Sequence, residues 1–359
     1  MITILPTKVK LLHFPRSHLP HATHAIVKQL FFKQVNDPDH FFSFTENAYE
    51  ISIVADKATI DNDFMPVLLE TQCQDMGTSP DTFRVLQVDG EGGQDSSGRR
   101  ISDLSGPLAQ GKFSIFYMST YQTDFVLIKE RRLRRAVSLL QEHGFDIDDE
   151  NIENSDTTTQ HTQEPQLKSL RSHNGSDAAV SISVDPRISN IYPRDLFESC
   201  VLEDELRCVG LNPHYRSQYI NTVLKIICYP EMILKNYNNE ETRFFSYTAS
   251  SDGISLVADR RILELFSDDQ IFQDEDTGSS FRVIQVNLAG SNLDRCGIVR
   301  SISHPLVTEA QINLLYLSTF KSANILVSAD ELEKAEKILA SDFEKVRDML
   351  AEFVLESPQ

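Results

Sequence analysis

Residues 41–57 read FFSFTENAYEISIVADK, and residues 244–260 read FFSYTASSDGISLVADR, with no gap between the copies. Each is two short apolar runs around a polar turn, Glu46 to Tyr49 in the first copy, which is the pattern of an antiparallel strand pair. Working outward, FRVLQV at 83–88 returns as FRVIQV at 281–286. SIFYMSTYQTDFVLIKERRL at 114–133 returns more weakly as NLLYLSTFKSANILVSADEL at 313–332. Order and spacing hold in both halves, so the chain reads as an internal duplication.

Between the copies, 148–187 is rich in Asp, Glu, Ser, Thr, Asn and Gln and poor in large apolar residues. Such a segment buries too little to order itself. The organisation is therefore a first half at 1–147, a flexible polar linker at 148–190 whose hydroxyls are open to phosphorylation, and a second half at 191–359.

Each half divides again. In the first, KVKLLHF (8–14) reads as a strand, HATHAIVKQLFF (21–32) as a helix with Ile26, Val27, Leu30 and Phe31 on one face, and the quoted pair as two strands. FRVLQVDG, a helix over 99–109 with Ile101, Leu104 and Leu108 aligned, strands FSIFYMST and DFVLIKE, and a helix over 131–145 stopping near Gly144 follow. The second half repeats this order and ends in a long helix over 330–354. The expectation is an α+β fold of four ferredoxin-like βαββαβ units in two tandem halves, with units at about 8–75, 83–147, 200–275 and 281–355. Open strand edges must be covered, by pairing within the chain or by dimerisation.

Composition narrows the function. The 359 residues are 40% hydrophobic, enough for more than one core, and the net charge is −19. That excess repels a phosphate backbone and argues against nucleic acid as a partner. Five cysteines with no CxxC pair fit free thiols in a reducing compartment. The N-terminus lacks a signal-peptide pattern and the apolar runs are too short to cross a bilayer, so no membrane partner and a cytoplasmic location are expected.

The duplicated β-α-β-β pattern resembles tandem ACT domains. STYQTDFVLI (119–128), the strand pair at 41–56, and CGIVRSISHPL (296–306) followed by LYLSTF (315–320) are similar to segments of the CASTOR family, cytosolic arginine sensors that regulate the TOR kinase pathway. The resemblance covers most of the chain outside the linker. It implies a free amino acid held between the second and fourth units, no cofactor, and a regulatory complex of nutrient signalling as partner. The matching positions are Ser114 and Ile115, then Cys296, Gly297, Ile298 and Val299, then Thr319, Phe320, Lys321 and Ser322. The chemistry agrees in part: a glycine opening a helix lets a carboxylate approach unpaired N–H groups.

Two positions depart from the family pattern. Arg295 and Ala323 stand where acidic side chains are implied, and a guanidinium needs a bidentate anionic partner. Asp294, one residue earlier, can compensate in part, so arginine stands beside an acidic or neutral amino acid, and beside a ligand-free scaffold, as an open alternative.

Other motifs carry less. Gly106 to Lys112 approaches a phosphate loop, but Phe113 replaces the required hydroxyl and the helix–strand order is reversed. Asp89 to Gly93 lacks a dinucleotide fingerprint and is acidic. His18, His21 and His24 have spacing for metal but no further ligand, with Pro20 between them. Arg131, Arg132, Arg134 and Arg135 read as a solvated face or an acidic-partner patch, and Asp56 and Asp259 as turn residues. No catalytic set converges, so the chain reads as a ligand-gated regulator or, with a decayed pocket, as an interaction module.

Overall fold

The computed structural model describes residues 1–33, 37, 39–89, 96–148, 151, 199–234, 243–272, 280–288 and 296–341. The linker at 148–190 lies outside them apart from 148 and 151, as do Asp294, Arg295 and the 342–354 part of the expected C-terminal helix.

Twelve strands carry the fold: β1 (Ile2–Phe14), β2 (Phe41–Glu46), β3 (Ile51–Asp56), β4 (Phe83–Val88), β5 (Ile115–Ser119), β6 (Asp124–Lys129), β7 (Leu206–Leu211), β8 (Phe245–Ser250), β9 (Gly253–Asp259), β10 (Phe281–Asn287), β11 (Leu314–Ser318) and β12 (Ser322–Ser328). They form four groups of three. The main helices are α1 (Leu19–Val27), α2 (Ser97–Gln110), α3 (Leu133–Glu142), α4 (Arg216–Cys228) and α5 (Ile298–His304). Asp56 and Asp259 do more than end strands: each carboxylate accepts the N–H three residues on, from Thr59 and Ile262, and caps a short helix.

The strands share one sheet, in the order β7, β9, β8, β2, β3, β1, β4, β6, β5, β11, β12, β10. Leu206 of β7 lies opposite Phe281 of β10, which closes the sheet into a ring. Pairing within the chain thus joins the first and last of those twelve strands through one residue pair.

Strand alternation sorts the side chains. Phe42, Phe44, Ile51 and Ile53 face the helices and pack with Ile26, Leu68, Ile226 and Tyr247. The second and fourth groups have their own helix-side core, joining Leu86, Ile101, Tyr117 and Leu140 to Val286, Ile302, Tyr316 and Leu339. The intervening positions pack on the opposite face, Phe41, Val54, Phe83, Val85 and Phe125 in one cluster and Leu206, Val257, Phe281, Leu317 and Leu326 in another.

The first strand is longer than its apolar run at 8–14 suggests. Residues 9–14 pair with β3, while Ile2 to Ile4 pair with β4 opposite Val88 to Leu86. The register shifts between Ile4 and Lys8, around Pro6, which can donate no ladder bond. One strand thus serves both groups of its half.

Candidate functional site

The halves meet along two seams of unequal strength. At the first, β2 and β8 pair continuously, from Phe41 opposite Ser250 to Glu46 opposite Phe245. Ser43 shares a 2.9 Å hydrogen bond with Thr248, and Thr45 another of 2.9 Å with Ser246. Buried Glu46 accepts from Arg243 Nε at 2.8 Å and pairs with Arg16 through its other oxygen. This seam is laddered, hydroxyl-paired and ionically locked.

At the second seam, β5 and β11 share one ladder pair, Met118 opposite Leu317. Side chains replace the carbonyls that a ladder would use. The Tyr117 N–H donates to Ser318 Oγ at 2.9 Å, and the Tyr316 N–H donates to Ser119 Oγ at 3.1 Å. Ser119 and Ser318 occupy the same repeat position, the first residue of STYQT and of STFKS. Behind Ser119, buried Asp124 takes Arg100 Nε at 2.6 Å and Ser97 Oγ at 3.4 Å. Burial raises the Asp124 carboxyl above its ordinary value, and Arg100 opposes that shift.

A cavity of about 20 Å³ sits at this second seam, lined by Ile115, Phe116, Leu288, Ile298, Val299, Tyr316, Ser318, Thr319 and Ser322. That is room for about one water. A bridge between Ser114 and Cys296 ties the start of β5 to the start of α5. Gly297 caps α5 in the left-handed region, with φ of 81°. The first N–H groups of a helix have no partner within it, and here they belong to Ile298 and Val299 at the cavity.

Of the residues expected around a ligand, Ile115, Ile298, Val299, Thr319 and Ser322 line this cavity, while Ser114, Cys296 and Gly297 frame its edge. Phe320 and Lys321 do not line it. The hairpin turn points them toward the first strand group, where the Phe320 ring packs on His13 at 4.4 Å and its N–H donates to Ser52 Oγ. The Lys321 N–H donates to Glu50 at 2.6 Å and its ammonium pairs with Asp75. Ala323 is buried in the helix-side core, opposite Ser318 and Val286. Among the described lining residues none carries a carboxylate. The sequence reading missed Phe116, Leu288, Tyr316 and Ser318; the paired serines of the two STxxT-like turns were the available signal.

The arginines expected as a solvated face are engaged within the chain. Arg131 pairs with Asp81, Arg132 donates to the Lys112 carbonyl, and Arg132 and Arg135 lie over Phe113. Among the described residues no group of three or more His, Cys, Asp or Glu can hold a metal, and no helix is long and apolar enough to cross a membrane.

Gly297→Ala should cost about 1–2 kcal/mol, because a Cβ disfavours left-handed backbone even where its nearest neighbour, Ala109 Cβ, is at an ordinary 3.6 Å. A lowered urea midpoint with an unchanged slope is the expected readout.

The ACT domain family model matches residues 78–142 and 277–341, which carry the second and fourth strand groups flanking this cavity. Both halves of the chain thus contain a segment that matches the ACT domain. Over 360 residues it is 24% identical to the protein named "Cytosolic arginine sensor for mTORC1 subunit 1" of Homo sapiens, covering 94% of this chain and 96% of that one. The Rattus norvegicus protein of the same name is 25% identical over 358 residues, covering 94% and 95%. The chain thus resembles the cytosolic arginine sensors along nearly its whole length. Among solved structures, aspartate kinase from Synechocystis is 11% identical with a TM-score of 0.33, covering 96% of this chain and 55% of that one.

Proposed function

We propose that the chain is a cytoplasmic amino-acid sensor built from four ACT units, a regulator and not an enzyme, acting on a protein complex of nutrient signalling of the TOR-pathway kind. The names of its relatives support the class. The observation that carries the site is the serine-bridged second seam, with the start of α5 opening onto it. Backbone N–H groups at Ile298 and Val299 would take the ligand's carboxylate. Thr319 and Ser322 would serve its ammonium group.

At about 20 Å³ the cavity is too small for an amino acid, so binding requires the second seam to part while the first stays locked. A ligand that binds only the parted form shifts the population toward it, and a partner can read that change. The described lining is apolar and hydroxylic, including the rings of Phe116 and Tyr316, which suits a small uncharged side chain.

The test is a thermal-shift screen with each of the twenty amino acids. Binding at a hundred times the dissociation constant should add about 2.7 kcal/mol of stability. Loss of the response in Gly297→Ala would tie it to this site. No shift with any amino acid would favour the other reading, an ACT-type interaction module whose pocket has decayed. Because the strands close into a ring, a second copy is not needed to cover them, and sedimentation would test the homodimer that the sequence allowed.

A further inference from the structure

The cavity at the second seam is also reached from outside the two strand groups that flank it. Asn47, in the turn between β2 and β3, extends its side chain into the fourth group. Its Nδ2 donates to Ser322 Oγ at 3.0 Å, Thr319 Oγ1 at 3.3 Å and Asn324 Oδ1 at 3.4 Å. Its Oδ1 accepts the N–H groups of Tyr49 and Glu50, at 2.9 and 3.0 Å. Two backbone donors can face only the oxygen, so the amide has one orientation and its nitrogen meets the fourth group. Asn324 is oriented in the same way, since its Nδ2 donates to the Leu317 carbonyl at 2.9 Å and leaves its oxygen toward Asn47. Asn47, Thr319, Ser322 and Asn324 are all buried.

These bonds decide what the hydroxyl pair can offer a ligand. A hydroxyl has one proton and two lone pairs. The Thr319 hydroxyl donates to the Ser322 carbonyl at 3.1 Å, so in the 2.7 Å contact between the two hydroxyls Ser322 is the donor. Thr319 Oγ1 then accepts from Ser322 and from Asn47, which uses both lone pairs. Ser322 Oγ accepts from Asn47 and keeps one lone pair. Both residues line the cavity, and neither has a proton left for it. That end of the cavity is an acceptor, which suits a donor such as an ammonium group.

The duplication supplies a control. Ser250 stands at the repeat position of Asn47, Thr120 and Thr123 at those of Thr319 and Ser322, and Phe125 at that of Asn324. Thr120 Oγ1 still donates to the Thr123 carbonyl, at 2.6 Å. Ser250 Oγ, however, accepts the Asp252 N–H within its own turn at 3.3 Å, and Phe125 packs edge-on against Phe41. Among the described residues the amide bridge is found only at the junction beside the cavity.

We propose that Asn47 is a positioning residue of the amino-acid site, supplied by the first strand group, which sets the Thr319–Ser322 pair as an acceptor and so selects ligands that carry an ammonium group. The proposal rests on the sensor reading of this cavity and adds a third strand group to the site. Substitution of Asn47 changes the choice between ligands and not their affinity alone.

The test is calorimetry on the full chain with L-alanine, L-valine and L-leucine, and with propanoate, 3-methylbutanoate and 4-methylpentanoate, the same molecules without the amino group. Wild type should prefer the amino acid of a pair by about tenfold or more. Asn47→Ser, the residue that the repeat carries, keeps an acceptor for the turn but cannot reach Ser322. The hydroxyl protons are then free to turn into the cavity, and the preference should fall about tenfold. Asn47→Asp keeps the acceptor of the turn and sets a carboxylate behind the pair, so the preference should rise about tenfold. A merely structural role would weaken an acid and its amino acid alike and could not move their ratio in opposite directions. If wild type binds none of the three amino acids, the site reading fails and the proposal falls with it. If it binds them and the ratio stays fixed, or moves the same way in both variants, the site stands and Asn47 does not set its choice. Should Asn47→Asp fail to fold, an unchanged ratio in Asn47→Ser alone overturns the proposal.

Discussion

Glu46→Ala should destabilise the protein by about 3–5 kcal/mol, the largest effect expected of any surface-remote polar substitution in the first and third strand groups. Glu46 and Arg243 are each about 5% exposed, and the pair is closed by contacts of 2.8 and 2.6 Å from Nε and Nη2. Arg243 Nη2 also donates to the Ile226 carbonyl at 2.9 Å, which holds it against the third group. Removing the carboxylate leaves that guanidinium buried beside an alanine. Arg16, 30% exposed, can turn to water and contributes little of the cost. Because Glu46 sits on β2 and Arg243 lies just before β8, the loss falls on the seam that joins the halves. Chemical denaturation is the check: a midpoint unchanged within error would mean that this seam does not hold the halves together.

Asp124→Asn should cost about 3 kcal/mol, and the loss should concentrate at the second seam. Asp124 is fully buried, and its partner Arg100 is 12% exposed. Arg100 also donates to Ser96 Oγ at 2.6 Å, which holds its guanidinium beside the carboxylate. Ser97 links the carboxylate to Ser119, whose Oγ accepts the Tyr316 N–H across the seam. Hydrogen exchange at Tyr117 and Tyr316 should therefore quicken more than exchange at Ser246 or Thr248 on the first seam. The double variant Arg100→Met with Asp124→Leu should recover much of the stability, since an apolar pair avoids the desolvation of both charges. Additive losses in that cycle would show that the two residues do not act as a pair.

Much of the fold was legible because the duplication supplied each strand twice. FFSFT and FFSYT alternate a buried aromatic with a hydroxyl, and both members of that alternation prove structural: Phe42, Phe44, Phe245 and Tyr247 face the helices and the hydroxyls pair across β2 and β8. The start of β1 was not legible, since Pro6 interrupts ILPTKVK and the register shift hides its alternation. Ring closure was equally hidden, because no local pattern says which half lies beside which. At the candidate site, Gly297 was readable as a helix start. The outward turn of Phe320 and Lys321 was not, since their destination, His13 and Glu50, lies in the other half.

The most direct test of the sensor account is hydrogen–deuterium exchange of the full chain with and without a mixture of all twenty amino acids. Slower exchange confined to 114–116, 296–299 and 319–322 is the predicted result, with β2 and β8 unaffected. Exchange that is unchanged throughout, or protected only away from the second seam, would contradict it.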